Sequence, residues 1–148
     1  MQKEPIFVLL ADDDEDDRLF FVDAFEEIKI NTVVKTVKDG VELLEYLFKE
    51  NAKLPDVLFL DLNMPRKTGV ECLVEIKKEK KFDEMAIAIY STSASDKDIE
   101  DTFVQGANVY IKKPNDFGTL KKVVQEVITV NWHYQTSGLN RENFFLSL

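Results

Sequence analysis

Three short segments of the chain are almost wholly apolar: Ile6–Ala11, Val57–Leu60 and residues 86–90. A strand with one wet face alternates apolar and polar residues, so runs without polar members belong to strands covered on both faces. Two further segments, Thr32–Val37 (TVVKTV) and residues 108–112 (NVYIK), do alternate and read as less buried strands. Helical periods lie between them. Phe21, Ala24, Phe25 and Ile28 share one helix face; Leu43, Leu44, Leu47 and Phe48 mark a second helix. Val70, Leu73 and Ile76 mark a third, Ile99 and Phe103 a fourth, and Leu120, Val123, Val124, Val127 and Ile128 a fifth. Capping patterns precede three of them, at Asp39-x-x-Glu42, Thr68-x-x-Glu71 and Ser95-x-x-Asp98. The last is the weakest, because aspartate is short for the reciprocal bond.

Strand and helix therefore alternate five times, which predicts an α/β fold with a parallel sheet and right-handed crossovers. The two alternating strands are the second and fifth. They would be the edges of a flavodoxin-like, doubly wound (βα)5 fold with the five-stranded order 2-1-3-4-5. A chain of 148 residues that is 45% hydrophobic can build one such core. The net charge of −9 argues against a nucleic-acid partner, which needs a basic footprint. Cys72 is the sole cysteine, so no internal disulfide or cysteine-based zinc site is expected. Its solitary state suits a reducing compartment. Residues 1–5 do not read as a secretion signal, and no apolar run approaches a membrane span. The expected location is cytoplasmic, with no membrane partner.

In a doubly wound sheet, ligands bind beyond the carboxyl ends of the strands at the point where the winding reverses. There the first strand runs into Asp12, Asp13 and Asp14, and the third into Asp61-Leu62-Asn63-Met64-Pro65. The fourth runs into Ser91-Thr92 and the fifth into Lys112-Lys113-Pro114. Three converging carboxylates repel one another and call for a compensating cation. Mg²⁺, a hard ion that takes carboxylate, water and phosphate oxygens, suits them. An aspartate beside such an ion can attack phosphorus, and a lysine can stabilise the charge on the group in transfer.

This ordered set resembles the receiver domain of two-component response regulators. The likeness rests on Asp12-Asp13 after an apolar strand, DLNMP at 61–65, Gly69, Ser91, GAN at 106–108 and Lys113-Pro114. It implies that Asp61 accepts the phosphoryl group, from a sensor histidine kinase or a phosphotransfer protein. It implies one Mg²⁺ held by Asp13, Asp61 and the backbone carbonyl of Asn63, with Asp12 acting through a water. Lys113 would contact the phosphoryl group, Ser91 would be the switch hydroxyl and Tyr110 the switch aromatic. Pro114 would follow a cis peptide bond. The resemblance implies a signalling switch that assists its own phosphorylation and dephosphorylation, and that alters its helix 4–strand 5–helix 5 surface. It assigns residues 5–131 to the receiver and 132–148 to a C-terminal extension without an effector domain.

Several residues have plainer readings. Residues 14–17 read as a solvated acidic helix start, since acids favour helix N-termini. An EF-hand is excluded because the sixth position from Asp12 is Asp17 and the twelfth is Asp23. Tyr110 alone would be half-buried edge packing, Lys113 alone a surface lysine, and Ser91 alone a loop serine. Thr92 rivals Ser91, but the fifteen residues from Ser91 to Gly106 match the receiver spacing. Arg66, Lys67 and Thr68 vary a loop that would tune dephosphorylation. Cys72 reads as packing and His133 as surface.

Three other functions fit these residues less well. A haloacid-dehalogenase-like phosphatase wants an acid where Asn63 stands. A flavodoxin wants a Ser/Thr/Gly-rich phosphate loop where six acids stand at 12–17. A receiver-like module that works without phosphorylation would not need Asp13, Asp61, Ser91 and Lys113 together. The tail departs from the family pattern. The fifth helix is expected from about Asp116 to Trp132, followed by a break at Thr136-Ser137-Gly138. Beyond it, Leu139, Phe144, Phe145, Leu146 and Leu148 make half of the last ten residues large and apolar. Such a segment is expected either to fold back on its own domain or to cover a second copy in a homodimer through the helix 4–strand 5–helix 5 face. Single-domain receivers that serve bacteriophytochrome-type kinases resemble this chain in having an extended C-terminus.

Overall fold

The computed structural model describes residues 4–129 and 144–146. The strands are β1 (Ile6–Ala11), β2 (Thr32–Val37), β3 (Val57–Leu60), β4 (Ala86–Ser91), β5 (Val109–Lys112) and β6 (Phe145–Leu146). The helices are α1 (Glu15–Glu27), α2 (Gly40–Phe48), α3 (Gly69–Lys77), α4 (Asp96–Val104) and α5 (Phe117–Thr129), with a 3₁₀ turn at Lys80–Phe82. The sheet order is β2-β1-β3-β4-β5-β6, and every pair is parallel. The first five strands have the expected order 2-1-3-4-5.

Alternation along the strands sorts the core into two layers. Leu9, Leu58, Leu60 and Ile87 face one side, with Leu43, Leu47, Leu73 and Ile76 of α2 and α3. Val8, Leu10, Phe59 and Tyr90 face the other, with Phe21 and Phe25 of α1 and Leu120, Val124 and Val127 of α5. Phe21 centres the second layer, its ring 4.9 Å from both Phe25 and Phe59. All three N-caps form, but only one of them closes as a box. Asp39 accepts from the Glu42 amide, and Thr68 and Glu71 make both halves of a capping box. Ser95 caps α4, while Asp98 accepts from the Ser93 hydroxyl at 2.6 Å.

The two flanking strands of the five differ. β2 is an open edge among the described residues and leaves Val33 exposed. β5 is not half-buried: Val109, Tyr110 and Ile111 are all buried, because β6 pairs alongside, with Tyr110 opposite Phe145. The sheet thus gains a sixth strand that the five alternations did not predict. Phe144 is fully buried, its ring 5.3 Å from Phe103 and 6.2 Å from Tyr110, and Phe145 stacks on Tyr110 at 5.9 Å. Residues 144–146 thus pack against β5 and α4. The expected helix end at Trp132, the break at 136–138 and His133 lie outside the described residues.

Candidate functional site

β1 and β3 are adjacent and parallel, so Asp12 and Asp61, each one residue past a strand end, arrive side by side. The Asp61 amide donates to the Ala11 carbonyl at 3.0 Å, which fixes that register. Asp12 is fully buried, Asp61 is 5% exposed and Asp13 is exposed. The three carboxylates each offer an oxygen, and these oxygens lie within 4.8 Å of one another. Lys113 enters from the end of β5, where its amide donates to the Ser91 carbonyl at 2.8 Å. Its ammonium lies 2.8 Å from Asp12, 2.9 Å from Asp17 and 3.5 Å from Asp61.

The local backbone is built around this cluster. The Asp14 amide donates to Asp12 Oδ1, and the Asn63 amide approaches Asp61 Oδ1 at 3.4 Å, which keeps the Asn63 backbone beside the carboxylates while its side chain faces solvent. After Pro65 the chain turns through Arg66 at φ 67°, and the Gly69 amide returns to the Leu62 carbonyl at 2.9 Å. A Cβ on Gly69 would sit 2.2 Å from the Asp61 carbonyl oxygen, so the loop closes this tightly only with glycine. Arg66 also clasps Asp39 at 2.9 Å, tying the β3–α3 loop to the start of α2.

The electrostatics follow from burial. The Asp61 carboxyl is pushed up to about 7, first by burial, with Lys113 opposing and the charges of Asp12 and Asp13 adding to the rise. Asp12 is raised too, by burial against the pull of Lys113. For Lys113, burial disfavours the ammonium, but its bonds to Asp12 and Asp17 and the charge of Asp61 outweigh that and hold it above the ordinary lysine range. Asp12 Oδ2 is out of reach of solvent, with the Lys113 ammonium at 2.8 Å as its partner. Three clustered carboxylates, two of them raised by burial, fit a hard divalent cation.

Ser91 ends β4 and is fully buried, its Oγ accepting from the Ser93 amide at 3.1 Å; Thr92 is exposed. The Tyr110 hydroxyl donates to the Ser93 carbonyl at 2.8 Å, and burial raises it, opposed by Ser91 and Ser93 beside it. Ser91 and Tyr110 thus meet at one turn, each bonded to the Ser93 backbone. Two expectations need correction. Asp17 is not merely a solvated helix-start acid, since it is an ion-pair partner of Lys113; one helical turn beyond Asp13 was the available signal. The Lys113–Pro114 peptide is trans, since no described peptide bond is cis; the two isomers lie close in energy before proline. Cys72 is buried in the core, as read, and burial pushes its thiol up to about 12.

A doubly wound parallel sheet with clustered acids and a lysine at its carboxyl end defines a phosphoacceptor switch of the receiver class. Residues 8–125 match the family described as the response regulator receiver domain, and the chain belongs to it. It is therefore a phosphoacceptor of two-component signal transduction, in a family where aspartate phosphorylation and dependence on Mg²⁺ are typical. It is 29% identical over 128 residues to the probable methanogenesis regulatory protein FilR2 of Methanothrix harundinacea, covering 84% of this chain and 83% of that protein. It is 27% identical to the response regulator Rcp1 of Synechocystis, covering 83% and 86%. Among solved structures, the phosphorylated cyanobacterial phytochrome response regulator RcpA superposes with a TM-score of 0.77 at 31% identity, over 84% of this chain and 91% of that one. The Mn²⁺-bound form of Rcp1 gives 0.76 at 26% identity, over 84% and 93%. No described helix is long and apolar enough to cross a membrane.

Proposed function

We propose that Asp61 is the phosphoacceptor and that Asp13, Asp61 and the Asn63 carbonyl hold one Mg²⁺, with Asp12 acting through a bound water. The observation that carries this reading is the convergence of Asp12, Asp13 and Asp61 within 4.8 Å, with Lys113 3.5 Å from Asp61. A bound Mg²⁺ would supply charge compensation for the phosphoryl oxygens. An Asp61 carboxylate oxygen attacks phosphorus; the new P–O bond forms as the P–N bond of a phosphohistidine breaks, and the imidazole leaves. Lys113 donates to a phosphoryl oxygen. Ser91 then donates to another, and Tyr110 responds at the turn they share. The phosphoryl group acts by shifting a pre-existing equilibrium of the α4–β5–α5 surface.

The donor is a sensor histidine kinase or a phosphotransfer protein, and the setting is cytoplasmic. The protein assists its own phosphorylation and dephosphorylation as a switch and turns over no separate substrate. Residues 5–131 form the receiver and 132–148 an extension. A homodimer through the α4–β5–α5 face would be built against β6, and light scattering before and after phosphorylation tests it. Incubation with a small phosphoryl donor and Mg²⁺ should add one base-labile phosphate. Equal labelling of Asp61→Asn, or labelling that survives EDTA, would overturn the assignment. Ser91→Ala should still be labelled but lose most of the chemical-shift response at the α4–β5–α5 face; an unchanged response removes Ser91 from the switch.

A further inference from the structure

Lys113 has a third carboxylate partner that the phosphoacceptor reading does not use. Asp17 is the third residue of α1, and its amide donates to Asp14 Oδ1, so the first turn of the helix is fixed. From there its carboxylate reaches the Lys113 ammonium at 2.9 Å, across 96 residues of chain. Around that ammonium stand Asp12 at 2.8 Å, Asp17 at 2.9 Å, Asp61 at 3.5 Å and the Tyr90 ring at 5.4 Å. The two tight partners are therefore Asp12 and Asp17, and the proposed phosphoacceptor is the loosest.

An ammonium has three donors. A phosphoryl group on Asp61 takes the donor that now meets Asp61 only at 3.5 Å, and for the ammonium to close on it one of the two tighter partners must loosen. Asp12 is fully buried, and letting go of the ammonium would strand its charge out of water. The Asp17 side chain is 40% exposed and returns to solvent at small cost. Asp17 also lies outside the three carboxylates that converge as cation ligands. A phosphoryl group adds negative charge beside Asp61, and the carboxylate of Asp17 competes with it for the same lysine.

We propose that Asp17 is a positioning residue that holds Lys113 in the resting site and competes with the phosphoryl group for it, so that it sets how readily Asp61 is phosphorylated. The inference rests on the assignment of Asp61 and Lys113 above. Removing the charge of Asp17 should then favour the phosphorylated state through Lys113. If Asp17 instead aimed the lysine at the phosphoryl group, removing it would have the opposite effect.

The test is titration of the full chain with beryllofluoride, a phosphoryl stand-in, at saturating Mg²⁺, followed by amide chemical shifts. Asp17→Asn should bind it about three- to tenfold more tightly than wild type. In a Lys113→Gln background the same substitution should bring no gain, a result that a merely structural role would not produce. Asp17→Ala should shift affinity in the same direction as Asp17→Asn, which guards against an artefact of the amide. Unchanged or weaker binding, or an equal gain without Lys113, overturns the proposal. Failure of the underlying assignment would look different: wild type would not bind beryllofluoride, or Asp61→Asn would bind it as well as wild type does.

Discussion

The carboxyl ends of β1 and β3 and the outer flank of β5 both hide side chains from water, and they do so with opposite chemistry. At the strand ends the Asp12, Asp61 and Lys113 side chains are taken out of water, and the lysine's attraction only partly offsets the desolvation, which is why burial raises both carboxyl groups. At the flank, Tyr110, Phe144 and Phe145 are packed ring against ring, with one polar atom, the Tyr110 hydroxyl, satisfied by the Ser93 carbonyl. One region gives up stability and gains a site for a cation and a phosphoryl group. The other supplies stability next to the turn that joins Ser91 to Tyr110. Reactivity and stability should therefore respond to different substitutions.

Lys113→Gln gives the largest separation. It should slow labelling by a small phosphoryl donor by about 10²- to 10³-fold at saturating Mg²⁺, the scale of losing one donor to developing charge. Phe144→Ala should leave that rate within about twofold, so a large kinetic effect there would break the division. Urea unfolding should instead find Phe144→Ala less stable by about 3 kcal/mol, as for other buried phenylalanines. A loss under about 0.5 kcal/mol would mean that the flank is not part of the core.

The acidity of Asp61 sharpens the same contrast. Because its folded value is raised to about 7 from 3.8, the metal-free folded state holds a proton that the unfolded chain has released. Stability should fall as pH rises from about 4 to about 7 and level off above, and Asp61→Asn should flatten that slope, leaving the share that Asp12 contributes. Mg²⁺ needs the carboxylate, so its affinity should weaken by up to about tenfold per pH unit below 7 and stay flat above. Calorimetric titration between pH 5.5 and 8.5 measures this. A flat profile would mean that Asp61 is ionised throughout this range or is not a ligand.

The charged region was largely legible in the sequence and the aromatic flank was not, for physical reasons. Strands buried on both faces leave continuous apolar runs, so the ends of β1, β3 and β4, and with them Asp12, Asp61 and Ser91, stand at visible boundaries. Asp17 was hidden by its neighbours, since an acid run at a helix start is favourable with or without a partner. Its role depends on β5 bringing Lys113 across from 96 residues away. The β5 edge was misread because NVYIK alternates like a half-exposed strand. What buries it is Phe145, in a two-residue strand too short to have a period of its own, and Phe144 just before that strand. The composition of the tail indicated that it must be covered, but not by which surface.

A phosphoryl group on Asp61 can be located directly. Borohydride reduction of the labelled protein converts an aspartyl phosphate to homoserine, and peptide mass spectrometry then locates the altered residue. After reaction with a small phosphoryl donor and Mg²⁺, the account predicts the mass change at Asp61 alone, and none in EDTA. A change at Asp12, Asp13 or Asp17, with Asp61 intact, would contradict it.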